Sequence, residues 1–164
     1  MSWKSLLALT FCTAIVIPTY AQDSQTQSST CTLADGKQVT VRFAPVAANS
    51  RIDLGKGKAW GPGNAPMYLF TETDITIGGT DLPAGAYSMY VIATGNKWIL
   101  VVSKDVSSGT TYDDKQDLVR SQMGSEQVSE SQPFSIVFAH MAPKQCSFQI
   151  NYGKLTTTAD FNEK

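Results

Sequence analysis

Histidine chemistry in this chain depends on one residue, because His140 is the only histidine in the sequence. A histidine can act as a general base near neutral pH, so a hydrolase that depends on His140 is one hypothesis. The residues before it favour a structural position instead. Phe134, Ile136 and Phe138 alternate at the period of a β-strand, and we expect His140 at the half-exposed end of that strand. Since no Gly-x-Ser-x-Gly motif marks a nucleophilic serine, the sequence favours a protein without catalytic activity over an enzyme.

The metal-binding residues are too few for a closed transition-metal site. One histidine and a cysteine pair that is better explained as a disulfide cannot supply the four ligands of structural zinc. Calcium takes six to eight oxygen ligands, and one polar segment carries four carboxylates with a spacing unlike that of an EF-hand. These are Asp105, Asp113, Asp114 and Asp117. We read them as a solvated loop and predict no metal and no other cofactor.

Aromatic side chains in two long loops are the better candidates for a ligand site. Flat rings bury a large area at a low cost in side-chain entropy, so a tryptophan and two tyrosines could form a platform for a glycan or a peptide. The alternative is that Trp60 plugs one end of the domain beneath its own loop, and this alternative is favoured. The candidate ligand-binding residues are Trp60, Asn64, Tyr68, Tyr112 and His140.

The elements that must position these residues are β-strands, because apolar residues recur with period two and no long amphipathic helix is evident. The run Trp98–Val102 is continuously apolar, as expected for a strand covered on both faces. Residues 67–77 read as one long strand or as a bulged pair of strands. The other predicted strands lie near residues 39–43, 87–91, 134–139, 146–152 and 155–161.

Glycine-containing pairs separate these runs. Gly78-Gly79, Gly95-Asn96 and Gly153-Lys154 each stand where a tight hairpin would reverse the chain, since glycine tolerates the positive φ of such turns. About seven to nine short strands with frequent turns predict an all-β fold. We expect an antiparallel β-sandwich, with a jelly-roll-like or barrel-like arrangement as the alternative.

The N-terminus has the three parts of a cleavable signal peptide, which are a positive start, an apolar stretch and a small residue at the cleavage point. We predict that residues 1–21 are removed after Ala21. The polar residues 22–30 are expected to form a disordered lead-in. A single β-sandwich domain is expected over residues 31–162, and no membrane-spanning segment after signal cleavage.

The cysteines, like the predicted signal peptide, indicate an exported protein. Cys12 lies in the predicted signal peptide, so the exported chain keeps Cys31 and Cys146, a pair suited to a disulfide in an oxidising environment. We therefore expect a periplasmic or secreted protein. The whole chain has 13 basic and 14 acidic residues and a net charge of −1. This balance offers no basic surface for nucleic acid, and the expected partner is a small ligand, a glycan or an envelope protein.

Several motifs resemble an exported bacterial family known as domain of unknown function 2911. The resemblance runs from about Cys31 to Phe161, and some members carry a matching cysteine pair. It implies a compartment and a fold but no activity. The resembling motifs are Lys58-Ala59-Trp60 followed by Gly63, Asp74-Ile75-Thr76-Ile77-Gly78-Gly79, Leu82-Pro83-Ala84-Gly85-Ala86-Tyr87-Ser88 and Lys97-Trp98.

The chain departs from the family pattern in two places. After the tryptophan, relatives carry an Arg and a Glu that are absent here, where the sequence reads Gly61 to Tyr68. The closing strands of relatives also carry Glu and Arg, and Tyr152 to Thr156 stand in their place. If those charges form a site in relatives, this chain has lost it; if they form a buried ion network, this chain has replaced it with apolar packing, which need not lower stability. The sequence therefore predicts a binding or structural module of the cell envelope, with a carbohydrate- or peptide-binding module using Trp60 as the alternative.

Overall fold

The computed structural model describes four stretches of the chain, residues 26–46, 57–95, 97–107 and 111–164. The predicted signal peptide lies outside these stretches, so its cleavage stays a prediction. The described residues form eleven strands, more than the sequence predicted, because β3, β5 and β6 have only two or three residues each. The strands are β1 (Gln27–Thr32), β2 (Gln38–Phe43), β3 (Ala59–Trp60), β4 (Met67–Thr71), β5 (Ile75–Ile77), β6 (Thr80–Leu82), β7 (Gly85–Thr94), β8 (Lys97–Ser103), β9 (Asp117–Gln122), β10 (Gly124–Ala142) and β11 (Gln145–Glu163).

The strands form two antiparallel sheets, which confirms the predicted β-sandwich. The larger sheet has seven strands in the order β1-β2-β4-β7-β8-β9, with β3 paired to β7. The smaller sheet has the order β10-β11-β5-β6. Over the described residues these are two separate sheets, so the barrel-like alternative is wrong. None of the described helices has the length and apolar character needed to cross a membrane.

The first strand replaces part of the predicted disordered lead-in. Residues 27–30 belong to β1, which pairs antiparallel with β2 from Gln27 opposite Phe43 to Thr32 opposite Gln38. A hydrogen bond of 2.9 Å also joins the hydroxyls of Thr30 and Thr40. The lack of apolar residues in this segment wrongly predicted disorder. Backbone hydrogen bonds hold this edge strand in the sheet, while most of its side chains stay exposed.

Residues 67–77 form two strands that lie in different sheets. β4 belongs to the larger sheet and β5 to the smaller one. Between them the Thr71 hydroxyl donates to the Thr73 carbonyl over 2.6 Å, and the Glu72 carboxylate accepts from the Gln38 backbone over 2.8 Å. These contacts fix the short connection between β4 and β5. The apolar residues of the two strands therefore keep their period of two, although the strands belong to different sheets.

Gly78-Gly79 and Gly95 lie at turns of the chain, whereas Gly153 does not, and Asn96, predicted to turn the chain with Gly95, lies outside the described residues. Gly78 and Gly79 have φ of 57° and 83° and close the tight hairpin between β5 and β6. A Cβ on Gly78 would lie 2.2 Å from the Ser121 Oγ of β9, whereas a Cβ on Gly79 would meet nothing within 4 Å. Gly95 lies at the turn between β7 and β8.

The hairpin predicted at Gly153-Lys154 is wrong. β11 runs through Gly153, although its φ is 59°, and the chain reverses earlier, where Ala142 pairs with Gln145. The pairing of β10 with β11 shifts register between Gln127 and Gln132. The positive φ of the glycine therefore serves an irregular stretch inside a long strand.

The core lies between the two sheets and is tied by one covalent bond. Phe148 and Phe161 are fully buried, and Phe138 packs edge-on against both rings at centroid distances of 5.5 and 5.1 Å. The predicted disulfide is present and joins Cys31 of the larger sheet to Cys146 of the smaller one. Its half-cystines are 3% and 0% exposed.

Candidate ligand-binding site

A cleft forms beside β7 at Tyr90, between the end of its pairing with β3 and the start of its pairing with β4. The outer face, meaning the face of the larger sheet turned away from the smaller sheet, carries Tyr90. The pairing of β3 with β7 ends at Val91 and that of β4 begins at Met89, so the segment 61–66 leaves the sheet opposite Tyr90. The resulting cleft has a volume of about 190 Å³. Its lining includes Trp60, Gly61, Asn64, Tyr90, Thr111 and Tyr112.

The segment 61–66 is a tight turn that only certain residues can form. A Cβ on Gly61 would lie 2.0 Å from the Ala65 carbonyl oxygen, so the chain needs glycine there. The Asn64 backbone donates to the Gly61 carbonyl over 3.1 Å. Asn64 has a φ of 58°, which asparagine tolerates better than most residues. The turn holds the exposed Asn64 at the rim of the cleft.

The wall opposite this turn is built by a pair of tyrosines. The rings of Tyr90 and Tyr112 pack edge-on, with centroids 5.0 Å apart and planes at 62°. Tyr90, Ile92 and Val101 form a small apolar cluster on the outer face, against which Tyr112 packs. Edge-on packing fixes both rings without filling the cleft.

A buried carboxylate holds the Tyr112 hydroxyl in place. The hydroxyl donates to Asp117 Oδ2 over 2.6 Å, and the Arg120 guanidinium donates to the same oxygen over 2.6 Å. Arg120 also donates to the Tyr112 hydroxyl over 3.0 Å. The Asp117 side chain is only 6% exposed, so Arg120 balances a charge that would otherwise be costly to bury. The arrangement orients Tyr112 rather than leaving it free to rotate.

A bulge in β9 brings this ion pair together. Arg120 lies opposite Val101 and Asp117 lies opposite Ser103, with a register shift between the two pairs. Val101 and Ser103 on β8 are two residues apart, so their side chains lie on the same face of the sheet. Asp117 and Arg120 on β9 are three residues apart. In a regular strand, residues three apart point to opposite faces. The extra residue in β9 therefore places both charges on the outer face.

Both tyrosines of the cleft have a pKa above that of an ordinary tyrosine. Burial and the hydrogen bond to Asp117 raise the pKa of Tyr112 to about 12. Burial also raises the pKa of Tyr90, and the negative charge of Asp105 acts in the same direction. At neutral pH these phenols are neutral hydrogen-bonding groups and not bases.

The five predicted site residues do not form one site. Trp60, Asn64 and Tyr112 line the same cleft. The Trp60 ring also packs edge-on against Phe134, at 5.9 Å, and against the main core, which agrees with the packing alternative. Tyr68 lines a second cleft of about 160 Å³, which shares Ala65 and Pro66 with the first.

His140 lies away from these residues. It is exposed on β10, opposite Cys146, and lines neither of these clefts. The hydrolase hypothesis therefore gains no partner for His140 from the described geometry, and it stays a prediction. Among the residues placed in the structure, no group of three or more His, Cys, Asp or Glu is arranged to hold a metal.

Sequence reasoning missed Tyr90 and Arg120, and it treated Asp117 only as a possible calcium ligand. One signal for Tyr90 was present in the sequence. The strand that carries Met89 and Val91 also has Tyr90 and Ile92 on its other face, so both faces are apolar. That pattern indicates that loops cover the outer face at this point.

The comparisons with known proteins identify a family. Residues 24–161 match a family described as a protein of unknown function, DUF2911. No curated protein matches the chain, and no solved structure does. The match covers nearly all of the sandwich, including β1 and the cleft. The chain therefore belongs to the DUF2911 family.

Proposed function

We propose that this protein is an exported binding module of the cell envelope, and that its outer-face cleft holds one polar ring, such as a single sugar unit of a glycan. The observation that carries the proposal is the convergence of Asn64, Tyr90 and Tyr112 on one cleft of about 190 Å³. Ligand pockets for larger molecules span roughly 300–1,000 Å³, so this volume suits one ring. A disulfide and an N-terminal apolar leader support export.

The composition of the cleft supports a ligand with both apolar and polar surfaces. The tyrosine rings offer apolar area, and the Asn64 amide at the rim offers a hydrogen-bond donor and an acceptor. A sugar ring has the matching combination of C–H faces and hydroxyl groups. The hydrogen bond to Asp117 fixes the Tyr112 ring, which supports affinity because a preorganised side chain loses little entropy on binding.

The test is a glycan-array screen of the wild-type protein, followed by calorimetric titration of the hits. Asn64→Gly keeps the positive φ and removes only the amide, so we expect affinity to fall about fivefold or more without loss of folding, since one hydrogen bond contributes about 1 kcal/mol or more. Asn162→Ala, at an exposed position on β11, is the matched control and leaves binding unchanged. Absence of any glycan binding at millimolar concentration, or equal binding by Asn64→Gly, would contradict the proposal.

A further inference from the structure

A larger cleft, which we call the inter-sheet cleft, lies between the two sheets at the end where β7 turns into β8. Its volume is about 470 Å³, within the range of roughly 300–1,000 Å³ that is typical of small-molecule sites. Gly95 and Trp98 line it from the side of the larger sheet, and the smaller sheet contributes Ser125, Glu126, Gln127, Lys154 and Leu155. None of these residues lines the outer-face cleft.

The register of β10 with β11 shows which side chains of the smaller sheet face the interior. Ser125 pairs with Thr157, and Gln127 pairs with Leu155. Directly paired residues share a face, as do residues two apart on one strand, so all four point to the same side of the sheet. That side is the inner one, because Thr157 is fully buried and Leu155 packs against the main core.

The two charged residues of the lining lie on the other face of the smaller sheet. Glu126 stands between Ser125 and Gln127 in the sequence, and Lys154 precedes Leu155. Because neighbouring residues of a strand point to opposite faces, both charged side chains turn away from the interior. Among the described residues that line the cleft, those facing inward are therefore uncharged. Since an unpaired charge is costly to bury, the inter-sheet cleft favours an uncharged ligand.

An unpartnered hydroxyl lies at the buried side of this cleft. Ser125 and Gln127 are exposed, whereas Trp98 is 5% and Thr157 0% exposed. Thr157 is the direct partner of Ser125, and the Cβ atoms of such partners are about 4.5–5.5 Å apart. Within the part of the chain that the structure describes, Thr157 Oγ1 has no hydrogen-bond partner. A buried hydroxyl without a partner lowers stability, so a ligand group that reaches it gains a hydrogen bond that the protein leaves unmade.

We propose that the inter-sheet cleft binds a small uncharged amphiphile, namely an aromatic ring that carries an alcohol group. The ring rests on Trp98 and Leu155, because flat rings pack favourably against an indole in edge-on or offset geometry. The ligand hydroxyl forms a hydrogen bond with Thr157 Oγ1, which becomes accessible when the short, exposed Ser125 side chain rotates.

The test is calorimetric titration of the full protein at neutral pH with three probes that share one phenyl ring. 2-Phenylethanol is uncharged, phenylacetate carries a carboxylate and 2-phenylethylamine carries an ammonium group. We expect 2-phenylethanol to bind, and both ions to bind at least about tenfold more weakly, because the inward-facing side chains offer no opposite charge to pair with them.

Two matched variants test the role of the buried hydroxyl. Thr157→Val replaces the hydroxyl with a methyl group of similar size and should weaken 2-phenylethanol binding about fivefold, as expected for the loss of one hydrogen bond. Without ligand the same variant should unfold about 2–4 °C higher, because it removes a buried hydroxyl that has no partner. Thr158→Val makes the same change at the next residue, on the opposite face of β11, and should leave binding unchanged.

Four results would overturn this proposal. The first is the absence of binding heat for 2-phenylethanol up to millimolar concentration. The second is equal or tighter binding of either ion. The third is unchanged affinity of Thr157→Val for 2-phenylethanol, because the ligand would then occupy another place. The fourth is an unfolding temperature of Thr157→Val that does not rise, because the hydroxyl would then already have a partner. None of these results bears on sugar binding at the outer-face cleft.

Discussion

Removal of the disulfide tests how the two sheets are held together. Cys31→Ala combined with Cys146→Ala deletes the bond, and alanine is chosen because both positions are buried and would disfavour a serine hydroxyl. The bond closes a loop with a sequence separation of 115 residues. In the chain-entropy account a loop of this length contributes about 4–5 kcal/mol to the free energy of unfolding. Against a total of roughly 5–15 kcal/mol for typical domains, the loss is large.

Urea unfolding followed by circular dichroism measures the effect. We expect the variant to lose about 3–5 kcal/mol relative to the oxidised wild type, and fully reduced wild type to show a loss of similar size. The dependence of the free energy on urea should also steepen, because an unfolded chain without the cross-link exposes more surface. The double variant should not respond to reductant, which serves as the control. A loss below about 1 kcal/mol with an unchanged slope would refute the loop-closure reasoning.

Three further predictions concern single residues. Gly78→Ala should cost about 1–3 kcal/mol more than Gly79→Ala in urea unfolding, because only the first Cβ would clash with β9; equal losses would contradict this. Leu69→Ala, at a fully buried position, should cost about 2–5 kcal/mol, and Leu118→Ala, 41% exposed, about 0.5 kcal/mol or less; similar losses would argue against the assigned core. Tyr112 should ionise near pH 12, so its contribution to stability is complete below pH ~10 and is lost as pH rises toward 12. An ultraviolet titration of wild type against Tyr112→Phe measures this ionisation, and a tyrosinate signal from Tyr112 near pH 10 would exclude the buried contact with Asp117.

Local patterns were sufficient for much of the fold. Alternating apolar residues correctly predicted an antiparallel sandwich, and Gly78-Gly79 correctly predicted a hairpin. The same reasoning was wrong at Gly153, because a positive φ is needed both in a tight turn and in an irregular stretch of a continuing strand. Composition was also wrong for residues 27–30, since backbone pairing at a sheet edge requires no apolar side chains.

The candidate site depends on pairings between strands that are distant in the sequence. Asn64 and Tyr112 stood out as residues in loops, but nothing local indicated that both would meet at Tyr90. That meeting follows from the departure of the segment 61–66 from β7. The contact of Asp117 with Arg120 likewise requires the register shift in β9.

The sequence by itself determined the class of fold, the cysteines available for a cross-link and the apolar faces that must be buried. These features follow from side-chain periodicity and residue chemistry, which act over a few neighbouring residues. Only the tertiary structure decided which strands pair, where their register shifts and therefore where the clefts open. A shift of one residue turns a side chain to the other face of the sheet, so the position of a site in a β-sandwich is set by non-local pairing.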